Sequence, residues 1–97
     1  MYLKIHRNPG GGDVVAVCDR ELHNQVLTDE GRKVWIHESF YGNRLVDEEE
    51  VRAALDGACN INLMGERAVA LAIEMGLLER SACIEIGSVP HALICRV

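Results

Sequence analysis

Apolar and polar residues alternate in several short stretches of the chain, with the period of two that a half-buried strand requires. In Tyr2–His6, Leu3 and Ile5 fall on one face and the other residues on the opposite face. Val14–Cys18 is a second β-rich run, and the Asn-Pro-Gly-Gly-Gly sequence at 8–12 is typical of a turn. The start of the chain therefore predicts an antiparallel hairpin.

Three further strands are predicted from the same pattern: Lys33–His37, Ala82–Ile86 and His91–Val97. In the last of them His91, Leu93 and Cys95 share one face. Ala58–Met64 alternates apolar residues with two asparagines, which fits either a short strand or an extended loop. The remaining connections are predicted to be a loop and a turn, at Thr28–Gly31 and Phe40–Asn43.

The run from Val46 to Gly57 has the local signals of a helix. Asp47 is its predicted N-cap, and the acidic residues at 48–50 complement the positive end of the helix dipole. Apolar residues at i, i+3, i+4 and i+7 form one core-facing stripe, which consists of Val51, Ala54, Leu55 and Ala58. Earlier in the chain, Asp19 is predicted to cap a short helical segment, Arg20–Gln25.

The most apolar run of the chain predicts a further helix, Glu66–Met75. Six consecutive apolar residues at 68–73 place apolar side chains on more than one face, so this helix is predicted to be largely buried. Gly65 stands at the N-cap position, and Gly76 stands where a left-handed residue commonly ends a helix.

The predicted order of elements is β-β-α-β-α-α-β-β. Hairpins at both ends indicate antiparallel pairing. We therefore predict a single domain over residues 1–97 of the α+β class, with a mainly antiparallel sheet of about five strands and helices packed on one face.

The charged residues are distributed unevenly between the two halves of the chain. The net charge is −5, but residues 1–46 carry six Lys/Arg against six Asp/Glu, so the acidic excess falls in residues 47–97. An acidic balance opposes nonspecific phosphate binding, which makes DNA an unexpected partner but leaves a basic patch in the first half open. No apolar run approaches the roughly 20 residues of a membrane span, and the N-terminus lacks a signal-peptide segment. We predict a cytoplasmic protein that does not bind membranes.

The cysteines and histidines do not form a recognisable chemical motif. The four cysteines contain no C-x-x-C pair, which favours free, buried thiols over a zinc or redox site. The four histidines contain no pair at i, i+3 or i+4, and the acidic run at 47–50 is explained by the start of a helix. His91 and Cys95 would lie about 13 Å apart on a strand, too far for proton transfer. We predict no metal, no cofactor and no catalytic residue.

Several spaced motifs are similar to the archaeal family catalogued as domain of unknown function 424. They are Asn-Leu-Met-Gly-Glu at 62–66, Gly-Ser-Val-Pro-His-Ala at 87–92, Val-Ala-Val-Cys-Asp at 15–19 and Phe-Tyr-Gly at 40–42. The resemblance spans nearly the whole chain and implies a small archaeal cytoplasmic protein with a link to translation or RNA. It supplies no catalytic residues. Met64 and Ser88 depart from the family's pattern.

One candidate binding site joins Asn60, Asn62, Gly65 and Glu66 with His91. Asparagine side chains and a helix N-terminus offer donors suited to an anion or to a peptide backbone. The carboxylate of Glu66 opposes an anion at this helix start. The alternative is that the two asparagines satisfy backbone groups of their own loop.

A candidate RNA surface combines Lys4, His6 and Arg7 with Lys33 and Trp35. Aromatic residues between cations on a sheet face suit base stacking together with phosphate contacts. The alternative is that the lysines are ordinary solvated strand positions and that Trp35 belongs partly to the core.

The chain contains no convergent set of acid, base and nucleophile. It therefore favours a non-enzymatic binding protein that acts through a protein or RNA surface. The alternative is a small enzyme or ligand-binding protein that uses the Asn60–Glu66 loop and His91. A homo-oligomer with a purely structural role is a third alternative.

Overall fold

The computed structural model describes residues 1–96. Its elements in chain order are β1 (Tyr2–His6), β2 (Val14–Cys18), β3 (Val26–Asp29), β4 (Arg32–Trp35), α1 (Glu38–Tyr41), α2 (Glu48–Leu55), β5 (Asn60–Met64), α3 (Glu66–Glu74), β6 (Ile84–Ile86) and β7 (Val89–Cys95). Short 3-10 turns lie at Arg20–Leu22 and Arg80–Ala82.

Five of the strands form one mixed sheet in the order β1-β2-β5-β7-β6, and β3 pairs with β4 in a separate two-stranded sheet. The pair β2–β5 is parallel, and the other neighbours in the large sheet are antiparallel. Because β2 lies inside the sheet, its residues from Val15 to Cys18 are all buried. The predicted α+β fold with a mainly antiparallel five-stranded sheet is confirmed.

The two faces of the large sheet are covered differently. Helices α2 and α3 pack on one face, which we call the helix face, through Val51, Leu55, Val69 and Ala72. On the opposite face a smaller apolar cluster joins the sheet to α1 and to the β3–β4 hairpin. Its buried members are Ala16, Cys18, Ile36, Tyr41 and Met64.

Several elements follow the predictions closely. Strands β1 and β2 have the predicted bounds, and the ambiguous Ala58–Met64 stretch contains β5, between β2 and β7 in the large sheet. Asp47 is the N-cap of α2, where its Oδ1 accepts a hydrogen bond of 2.9 Å from the amide of Glu50. The last strand begins at Val89, and its predicted end at Val97 lies outside the described residues.

The region from 20 to 43 was predicted least well. The helix expected at Arg20–Gln25 is a 3-10 turn followed by β3, and part of the expected loop at Thr28–Gly31 belongs to that strand. Glu30 and Gly31 both have positive φ, at 48° and 80°, which suits a tight hairpin turn and lets β3 pair with β4. The expected turn at Phe40–Asn43 begins as the short helix α1. Part of the predicted loop is replaced by a strand because Val26–Asp29 pairs with Arg32–Trp35.

Asp19 was also assigned the wrong helix. Its side chain makes no cap bond to the turn that follows it. Its two carboxylate oxygens instead accept hydrogen bonds from the amides of Arg67 and Ala68, at 2.9 and 2.8 Å, in the first turn of α3. Gly65 permits this approach, because it has a φ of 114° and a Cβ there would lie 2.5 Å from Asp19 Oδ2.

We expect Gly65→Ala to destabilise the protein by about 2–4 kcal/mol, because it adds backbone strain and displaces the Asp19 cap. Gly76→Ala is the matched control, since Gly76 has a φ of 75° but no atom within 4 Å of an added Cβ. Its cost should be only about 1–2 kcal/mol. Urea denaturation measures both, and equal losses would show that the Asp19 contact is unimportant.

The Asp19 cap should also produce a pH dependence. Burial raises the pKa of Asp19 despite the two backbone hydrogen bonds that lower it. The native state therefore holds the proton more tightly than the unfolded chain, whose Asp pKa is about 3.9. The contribution of Asp19 to stability is largest in acid, falls as pH rises through the native pKa, and is constant above it.

We expect the stability of the wild type relative to Asp19→Asn to increase when the pH is lowered from about 7 to about 4. The variant cannot titrate at this position, so the difference isolates Asp19. Urea denaturation at a series of pH values measures it. A difference that grows with rising pH would contradict the direction of the shift.

Candidate functional site

Part of the sheet face opposite α2 and α3 is uncovered. Ile36 and Tyr41 pack over the end of this face that contains Cys18 and Met64. Toward the other end, six neighbouring side chains in two rows across the sheet form what we call the open floor: His6, Val14, Asn60, Asn62, Leu93 and Cys95. Leu93 is 70% exposed although it lies on an inner strand, so the floor offers an apolar contact to a partner.

Tyr41 orients one of the two amides on the open floor. Its hydroxyl donates a hydrogen bond of 2.7 Å to Oδ1 of Asn62. Burial raises the pKa of the Tyr41 phenol far above its usual value, so this donor stays protonated at every physiological pH. The amide oxygen of Asn62 is thereby engaged, which leaves its NH₂ group as the donor for a ligand. The side chain of Asn60 makes no hydrogen bond within residues 1–96.

Helix α1 forms one wall of the open floor. The ring of Phe40 stacks on His6 with their centroids 4.8 Å apart, and Nε2 of His6 donates to the Phe40 carbonyl at 2.6 Å. Lys4 Nζ donates to the carbonyl of Ser39 at 3.1 Å. These contacts hold a cation and an aromatic ring beside the two amides.

The strand positions that face this side carry no acidic side chain within residues 1–96. The acidic residues lie elsewhere, for example in the first turns of α2 and α3. The fold therefore keeps acidic side chains away from the strand positions of this face, although acidic residues occur throughout the sequence. A protein with a net charge of −5 thus has one sheet face whose strand positions carry no acidic side chain within residues 1–96.

The first candidate site is only partly assembled. Asn60 and Asn62 lie on the open floor, and the pairing of β5 with β7 makes His91 a diagonal neighbour of Asn62 on the same face, about 7–8 Å away. His91 is held by its Nδ1–H, which donates to the Leu63 carbonyl at 2.8 Å. Gly65 and Glu66 lie beyond the end of β5 at the start of α3, away from the floor.

The start of α3 is already occupied by the protein's own groups. The Asp19 carboxylate accepts two of its free amides, in the position that an anionic ligand would take. Glu66 forms a bidentate ion pair with Arg80, at 2.7 and 3.0 Å, which lowers the pKa of the Glu66 carboxyl. The groups that a ligand would contact at this helix N-terminus are therefore already bound to other residues of the protein.

The candidate RNA surface is divided between two sheets. Lys4 and His6 lie on β1 beside the open floor, and Arg7 pairs with Asp13 at 3.1 Å. Lys33 and Trp35 lie on β4, in the separate two-stranded sheet. Trp35 is 59% exposed and contacts His37 edge to face at 4.0 Å. The structure thus brings Lys4 and His6 to the floor, but not the β4 pair.

Sequence reasoning missed five residues of this region, which are Val14, Phe40, Tyr41, Leu93 and Cys95. Leu93 and Cys95 share the face of His91 in the alternation of the last strand, so a signal for them existed. Phe40 and Tyr41 carried no such signal, because their partners His6 and Asn62 are 34 and 21 residues away.

Residues 1–96 contain neither a cluster of metal-ligating side chains nor a membrane-spanning helix. No three His, Cys, Asp or Glu side chains there are placed to hold a metal ion. No helix in that range is long and apolar enough to cross a bilayer.

These features define a small α+β protein whose mixed sheet has one face sealed by helices and the other partly open. The chain belongs to the family described as "Protein of unknown function (DUF424)", which matches residues 6–97. The crystal structure of an uncharacterized conserved protein from Methanopyrus kandleri is similar, with 28% identity and a TM-score of 0.76, over 99% of this chain and 92% of that one. None of the curated proteins matches significantly.

The cysteines provide a test of the two faces. Cys95 on the open floor and Cys59 outside it are exposed free thiols, whereas Cys18 is buried. Burial raises the pKa of Cys18 to about 12, and only a thiolate attacks an alkylating agent. We expect Cys59 and Cys95 to react with iodoacetamide at least about 100-fold faster than Cys18, as peptide mass spectrometry can measure. Fast labelling of native Cys18 would contradict the packing of this face.

Proposed function

We propose that this protein is a non-catalytic, cytoplasmic RNA-binding module that receives single-stranded RNA on the open floor. The observation that carries the proposal is the sheet face free of acidic side chains, on which two asparagine amides lie beside a stacked aromatic ring and a lysine. Single-stranded RNA exposes base edges that amides can bind and phosphates that cations can contact.

Each part of the floor has a role in this proposal. The NH₂ group of Asn62, oriented by Tyr41, and the free amide of Asn60 bind base edges. Leu93 packs against a base face, and the Phe40 ring borders the site. Lys4 at the rim neutralises a phosphate.

Non-catalytic binding suits the chemistry of this surface. The floor has one imidazole, that of His6, whose Nε2 is committed to a carbonyl oxygen, and the adjacent His91 is likewise bound to a backbone carbonyl. Neither imidazole makes an ion pair with a carboxylate within residues 1–96. The association with the translation machinery that the family resemblance implies stays a prediction.

We expect Asn60→Ala to weaken binding of a fluorescein-labelled oligo(U) or oligo(A) RNA by about 2–10-fold, the value of one or two hydrogen bonds. Fluorescence anisotropy measures the affinity. Lys4→Gln should lower the salt dependence of binding by about one phosphate contact.

The controls are Asn43→Ala and Arg20→Gln, at exposed positions outside the floor. Both should bind like the wild type. RNA should also protect Cys95, but not Cys59, from alkylation. Equal losses in all variants, or RNA binding that does not change with salt, would contradict the proposal.

A further inference from the structure

A second concave site lies away from the open floor, between the β3–β4 hairpin and strands β6 and β7. It is a cleft of about 390 Å³. Because side chains alternate between the two faces of a strand, every second residue of the neighbouring strands points toward the cleft. The hairpin contributes Asp29, Arg32 and Val34, and the large sheet contributes Ile84, Ile86 and His91. Lys33 and Glu85 complete its lining.

The hairpin is held at a fixed distance from the sheet by the turn between β6 and β7. Gly87 has a φ of 54°, and a Cβ there would lie 2.7 Å from the carbonyl oxygen of Thr28. The two backbones are therefore in direct contact, which only glycine permits. The contact between Gly87 and Thr28 fixes the position of the hairpin relative to the sheet, and it thereby sets the width of the cleft.

Two side chains of opposite charge in the cleft, Asp29 and Arg32, have no side-chain partner among the described residues. Asp29 and Arg32 are directly opposite each other in the hairpin, yet neither makes an ion pair or side-chain hydrogen bond within residues 1–96. His91 donates through Nδ1–H to the Leu63 carbonyl, so its neutral ring keeps the lone pair on Nε2. A carboxylate, a guanidinium and an imidazole acceptor therefore border one cleft.

The remaining lining is aliphatic. Val34 and Ile86 are half-buried, and Ile84 is 60% exposed on the edge strand β6. An apolar surface of this kind next to two opposite charges matches a small zwitterion with an apolar side chain. The volume is within the usual range for small-molecule sites, about 300–1,000 Å³.

We propose that this cleft binds a free α-amino acid with an aliphatic side chain. The α-ammonium group donates to Asp29 and to Nε2 of His91, and the α-carboxylate accepts from Arg32. The side chain packs against the aliphatic residues. The proposal is independent of RNA binding, because it shares no residue with the open floor.

Isothermal titration with L-leucine tests the proposal. N-acetyl-L-leucine lacks the ammonium group, L-leucinamide lacks the carboxylate, and glycine lacks the side chain. The two blocked derivatives should each bind at least about 10-fold more weakly than leucine, because each loses a hydrogen bond to a charged group. Glycine should also bind at least about 10-fold more weakly, because it cannot bury an apolar side chain. Absence of leucine binding, or equal binding of leucine and its two blocked derivatives, would overturn the proposal.

Two variants locate the site. Asp29→Asn and Arg32→Gln should each weaken leucine binding about 10-fold while leaving the urea midpoint unchanged, since neither side chain makes an ion pair within residues 1–96. Glu79→Gln and Arg20→Gln neutralise exposed charges outside the cleft and should leave binding unchanged. Leucine binding that survives both cleft variants at full strength would place the ligand elsewhere and refute the assignment.

Discussion

The carboxylate of Asp19 is the contact on which the rest of this fold depends. Asp19 follows the last residue of β2, and its amide donates to the Met64 carbonyl of β5 at 2.9 Å. Its side chain reaches two amides of α3. One residue thus joins both strands of the parallel pair to the buried helix. A carboxylate that is 1% exposed is stable there because backbone donors replace its water.

This internal cap also determines where a ligand can bind. The N-terminus of a buried helix commonly attracts an anion, but here the protein supplies its own. Alanines at 68 and 72 let α3 lie close on the sheet, and together with α2 it seals the helix face. Surface for a partner is therefore left on the opposite face, where α1 and the β3–β4 hairpin cover the sheet incompletely.

Several predictions that depend on residues close together in the sequence were correct, and one that depends on distant residues was wrong. The cap of α2 and the bounds of β1 and β2 depend on residues close in sequence, and they were predicted correctly. Asp19 was assigned to the nearest helix because its true partners are 48 and 49 residues away. Asn60 and Asn62 were proposed as site residues because polar residues in an apolar run are unusual. Their grouping with Leu93 and Cys95 needed the register between β5 and β7.

The sequence by itself determined the alternation of the strands, the N-cap of α2, the α+β class and the resemblance to a family that the comparison confirmed. Only the tertiary structure decided the strand order, the parallel β2–β5 pair and the division of the candidate cations between two sheets. The physical reason is that periodicity and capping are local properties, whereas the choice of a strand's neighbour depends on which faces can be buried together. That choice involves residues far apart in the chain, and it places the two asparagines beside Tyr41 and Leu93.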